Sequence, residues 1–135
     1  MADQTGDWTK KVLDGAVAEV IGSGLFSGPL LQARPAWQLP GALLIAECQV
    51  GDELFWLIAG PGSPTDIIAQ RLAGTPREAG RHFALKWQLG AKQLESGEAT
   101  PLAQVDQNTL DGKVALLIHC AESLHELVST DHLWD

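Results

Sequence analysis

The chain has 135 residues, 45% of them hydrophobic, with a mean hydropathy of +0.02. That is enough for one domain, which would bury roughly two-thirds of the surface its unfolded form exposes. A formal charge of −8 and a pI of about 4.8 supply too few cations to release counterions from DNA or to adhere to anionic lipid, so nucleic-acid and membrane-surface binding are disfavoured. No apolar run reaches membrane-span length, and MADQTGDWTKK at the start has no signal-peptide core, so the expected location is the cytoplasm.

Residues 1–6 are polar and expected to fray. Asp7 suits an N-cap. Trp8, Val12, Leu13, Ala16, Val17, Val20 and Ile21 then form one apolar stripe, stopped by Gly22. Residues 23–41 read as an irregular apolar connection, because Pro29, Pro35 and Pro40 forbid a long helix. Its leucines, Phe26 and Trp37 suit a segment pinned across the core or a hydrophobic surface for a partner.

Residues 42–50 and 53–59 flank Gly51-Asp52, the signature of a two-residue type II′ hairpin. That turn pairs Val50 with Glu53, Cys48 with Phe55, Ala46 with Leu57 and Leu44 with Ala59. Both faces of the ribbon are largely apolar, so helices or a subunit partner must cover both sides. Ser63, Pro64 and Asp66 resemble a helix cap, and Gly74 a stop, which favours a short helix over Pro64–Ala73; Ile67 and Ile68 also permit a strand.

The stretch Thr75–Leu94 carries the clearest helix signature. Thr75 caps, Pro76 takes the first helical position, and Glu78 completes a capping box. Phe83, Trp87, Ala91 and Leu94 recur at helical spacing, while Arg77, Arg81, Lys86 and Lys92 project elsewhere. A loop is expected from Glu95 to Pro101. From about Asn108, Leu110, Val114, Leu117, Ala121, Leu124 and Val128 form a further helical seam, and Trp134 should fold back near the end.

The expected fold is α+β, a single domain over residues 1–135. A central antiparallel hairpin or small sheet is packed by three main helices, in the order α-β-β-(short α)-α-α. A two-stranded ribbon alone is marginal and leaves two edges, which makes self-association an expectation.

Chemistry is thinly signed. GPGSPTD matches neither a P-loop nor a dinucleotide fingerprint. Of the four histidines, His125 with Glu122 makes one E-x-x-H, but no second such motif, C-x-x-C or H-E-x-x-H accompanies it, so no metal and no cofactor is expected. Cys48 and Cys120 read as small buried hydrophobes rather than a disulfide or nucleophile. The five tryptophans read first as core anchors. The polar residues that could share a site are Asp66, Arg77, Arg81 and His82, with Trp56 and Trp87 beside them. Such a group could hold a small anion or move a proton. Arg77 and Arg81 could equally pair with carboxylates or shield the helix.

FWLIAGPGSPTDII followed by TPREAGRHFALKWQLGAKQLE resembles a bacterial family of small proteins, domain of unknown function 4826. Pro64-Thr65-Asp66, Pro76-Arg77-Glu78-Ala79, Arg81-His82-Phe83 and Trp87-Gln88 carry the likeness, with AESLHELV and Leu133-Trp134 later. Gly80 departs, since a bulkier aliphatic residue is usual there. The likeness covers most of residues 40–135. It implies a bacterial origin and a shared fold, and no activity.

Charge is uneven. Residues 71–92 hold five cations against Glu78 alone, whereas residues 93–135 set Lys113 against eight carboxylates. With no catalytic motif, the favoured function is a non-enzymatic protein–protein interaction module, with a protein partner or a homo-oligomer. A chaperone- or immunity-like protein neutralising a basic partner is a sharper version. A small-molecule or anion binder around Asp66, Arg81, His82 and Trp87, and an enzyme of unrecognised type, are the alternatives.

Overall fold

A computed structural model describes residues 4–23, 30–61, 63–95 and 107–134. The fold is α+β: three helices and a four-stranded antiparallel sheet among the described residues. Two compact units divide the chain, Met1–Gly80 and Arg81–Asp135.

The first unit holds α1 (Gln4–Ser23), β1 (Leu30–Leu39), β2 (Leu43–Val50), β3 (Glu53–Gly60), β4 (Ser63–Ala69), a 3-10 turn at Gln70–Leu72 and the start of α2 (Pro76–Glu95). The strands lie in the order β1-β2-β3-β4. The Gly51-Asp52 hairpin has the expected register, from Val50 opposite Glu53 to Leu44 opposite Ala59. Gly51 sits at φ +60° and, among the described residues, no non-glycine residue has positive φ, which fits type II′ and excludes type I′.

Two expectations fail here. The connection over 23–41 is not irregular where it is described: it forms β1, while residues 24–29 lie outside the described residues. Pro35 is tolerated because β1 is an edge strand and its register shifts between Pro35 and Trp37. The turn into β2 is signed locally. Ala42 N–H donates to the Leu39 carbonyl at 2.9 Å, and Gly41 sits at φ +83°, a type II turn with proline and glycine at its centre. The short helix expected over Pro64–Ala73 is instead β4 and the 3-10 turn. Ile67 and Ile68 pair opposite Leu57 and Trp56, and β-branched side chains on a half-buried sheet outweigh a cap signature. Pro64, like Pro35, lies on an edge.

The first helix also starts earlier than expected, at Gln4, so Asp7 lies in its first turn rather than at the cap. It packs across one sheet face, where Ala16 and Val20 form a buried cluster with Ala46, Cys48, Leu57 and Ala59. Thr9 is buried and its hydroxyl donates to the Gln38 side chain. Ile21 ends the stripe exposed. On the opposite sheet face Ile45, Trp56, Ile58 and Ile68 are buried. Gly60 is needed at the end of β3, because a Cβ there would lie 2.3 Å from the Ala42 carbonyl oxygen.

The start of α2 is capped as expected, with one shift. Thr75 Oγ1 accepts the Glu78 N–H at 3.2 Å, but the Glu78 carboxylate takes the Gly74 N–H, at 2.8 Å, rather than that of Thr75.

The second unit comprises the rest of α2, α3 (Gln107–Val128) and a 3-10 turn at Asp131–Leu133. Phe83, Ala84, Trp87, Ala91 and Leu94 of α2 are buried, as the helical spacing predicts. Phe83 and Trp87 stack one turn apart, ring centroids 6.1 Å apart and tilted by 35°. Leu117, Ala121, Leu124 and Val128 of α3 are buried in the expected seam, and Leu117 lies beside Gly90 of α2. The Trp134 indole donates to the Leu127 carbonyl at 2.9 Å, which ties the end back to α3.

Candidate functional site

The residues grouped by sequence fall in both units. In the first, Trp56 is 3% exposed and its indole N–H donates to the Ala73 carbonyl at 2.8 Å. Asp66 lies half-buried on β4 opposite Ile58, and its carboxylate accepts the Ile67 N–H at 2.8 Å. Trp56 and Asp66 share a sheet face, since cross-strand partners point the same way. Arg77 is half-buried in the first turn of α2. In the second unit, Arg81 is exposed, His82 half-buried and Trp87 4% exposed. Trp56 and Trp87 are therefore core side chains, consistent with large indoles anchoring apolar interiors.

Sequence reading missed a polar cluster on the Trp56 face. Glu47, the one acid in the apolar run of β2, faces Arg34 of β1 in register. Arg34 donates to Glu47 Oε1 from Nε at 3.0 Å and from its terminal nitrogen at 2.7 Å, while Gln70 donates to Oε2 at 2.8 Å. The Arg34 and Gln70 hydrogen bonds hold the Glu47 carboxyl below the usual carboxylate range, against the opposing effect of burial. Gln70 and Ala73 belong to the connector between β4 and α2. Bonds from Gln70 to Glu47 and from Trp56 to Ala73 therefore draw that connector over the sheet at two points. A cavity of about 120 Å³ beside Glu47 is lined also by Gln32, Arg34 and Gln49. The arrangement is an ionised acceptor with its lone pairs engaged, suited to holding the connector rather than to moving protons.

The thiols offer no nucleophile. Burial pushes Cys48 up to about 11 and raises Cys120 as well, so both are protonated at neutral pH. Among the described residues no group of three or more His, Cys, Asp or Glu side chains could hold a metal ion, and no helix is long and apolar enough to cross a membrane.

Apolar surface is less evenly hidden. Leu85 and Leu89 of α2 are 53% and 51% exposed, directly opposite the buried Phe83 and Trp87 face. Arg81 and Lys92 are exposed on the same side of the helix. No curated protein and no solved structure matches the chain. A family model described as Domain of unknown function (DUF4826) matches residues 4–134, nearly the full length, and the chain belongs to that family.

Proposed function

We propose that this protein is a non-enzymatic protein–protein interaction module, and that the outer face of α2 is its contact surface. The observation that carries the reading is the pair Leu85 and Leu89, one turn apart and half-exposed on a helix whose other face is fully buried. Scattered surface leucines are ordinary, but two adjacent ones form a patch. Covering the exposed half of each would contribute about 1 kcal/mol per side chain. Exposed Arg81 and Lys92 beside them favour an acidic partner at this face. The buried free thiols Cys48 and Cys120 suit a reducing compartment such as the cytoplasm.

The test is affinity capture from the native host with the wild-type chain and with Leu85→Asp/Leu89→Asp. Both positions are exposed, so the variant should fold. The expected result is one protein recovered near stoichiometry by the wild type and lost with the variant. Equal recovery by both, or no such protein with either, overturns the reading.

A further inference from the structure

The sheet is poorly made for meeting a second copy edge to edge. Its edge strand β1 carries Pro35 and register shifts, and the other edge, β4, carries Pro64 at a further shift. Prolines and bulges of this kind blunt an edge. The second unit offers better surfaces. On the outer side of α2, Arg81, Leu85, Leu89 and Lys92 are exposed in one stripe. On the outer side of α3, Leu116, Ser123 and Glu126 are exposed at helical spacing, with Glu122 beside them. From Val114 to Val128 α3 holds no lysine or arginine.

These opposite charges belong to one compact unit, yet they do not meet within it. Among the described residues, Arg81 and Lys92 make no ion pair with Glu122 or Glu126. The packing explains why. Leu117, on the buried face of α3, lies against Gly90 of α2, and both exposed faces point away from that contact. Nor can α2 serve as its own partner. Laying its stripe on the same stripe of a second copy brings Arg81 onto Lys92, or each onto its equivalent, so like charges repel at both ends. The outer face of α3 supplies what α2 lacks, an exposed leucine with carboxylates next to it.

We propose that this protein assembles with copies of itself, the outer face of α2 in one copy lying on the outer face of α3 in the next. This pairing rests on the reading of α2's outer face as a contact surface and supplies its acidic partner. Leu85 and Leu89 meet Leu116, while Arg81 and Lys92 face Glu122 and Glu126. The leucines provide the burial, and the charges select the partner. Each copy carries the two faces on different sides, so the contact runs head to tail, closing into a ring or continuing as a chain.

Sedimentation of the purified chain tests this, with Arg81→Glu/Lys92→Glu as one variant and Glu122→Lys/Glu126→Lys as the other. The average mass of the wild type should rise above the monomer with concentration. Either variant alone should associate about tenfold more weakly or worse, because like charges then face one another. An equimolar mixture of the two should recover the wild-type mass, since each contact is again between opposite charges. Recovery in the mixture also shows that both variants fold. A monomeric wild type, undiminished association of either variant, or a mixture that stays monomeric overturns the proposal. A monomeric wild type that still captures a different host protein, lost with Leu85→Asp/Leu89→Asp, removes this inference and keeps the contact-surface reading.

Discussion

The two faces of the sheet are built from side chains of different size. Toward α1 the buried strand positions are Leu44, Ala46, Cys48, Val50, Leu57 and Ala59, three of the six small. On the other face they are Leu43, Ile45, Trp56, Ile58 and Ile68, none of them small. Small residues let α1 approach, so that Ala16 and Val20 join their cluster. The other face carries large residues and two polar ties, from Trp56 to Ala73 and from Gln70 to Glu47. One face therefore carries the close contact with α1, while the other carries the contacts that fix the connector into α2.

This contrast breaks most readily at Trp56. Trp56→Ala removes the largest buried ring of the sheet and should cost about 3–5 kcal/mol in urea denaturation. Leu57→Ala, on the α1 face, should cost about 2–4 kcal/mol. A larger loss at Leu57 than at Trp56 would reverse the ranking of the two faces. Trp56→Phe separates ring packing from the polar tie, because it leaves the buried Ala73 carbonyl without its donor. About 1–3 kcal/mol is expected, and a loss near zero would show that the indole N–H does not hold the connector.

The smallest effect belongs to Glu47. Its folded carboxyl ionises below the usual range, so its stabilisation is complete above the ordinary carboxylate pKa and is lost as pH falls through the folded value. Arg34 is 65% exposed, and solvent screening limits the contribution to at most about 1 kcal/mol. Urea midpoints of wild type and Glu47→Gln should differ at neutral pH and converge in acid. A difference that persists in acid would assign the tie to packing rather than charge.

Legibility followed distance along the chain. The hairpin register was readable because Gly51-Asp52 sets it within two residues, and the start of α2 because Thr75 and Glu78 act within one turn. The buried faces of α2 and α3 followed from spacing alone. β1 was obscured by Pro35, which stops a helix but is accepted at a bulge in an edge strand; Pro40-Gly41 was the turn signal that could have revealed it. β4 was obscured because Ser63-Pro64 and Asp66 fit both a helix start and an edge strand. Nothing local pointed to the Glu47 cluster, whose members are 13 and 23 residues away in sequence.

By itself, the sequence determined the α+β class, the central hairpin, three amphipathic helices and the burial of Phe83 and Trp87, because periodicity, caps and tight turns act within a few residues. The tertiary structure alone decided that the sheet has four strands, that Glu47 is bound on both oxygens and that Gly60 lies against the Ala42 carbonyl. Strand pairing, ion-pair geometry and close backbone approach depend on neighbours remote in sequence, and local preference carries no record of them.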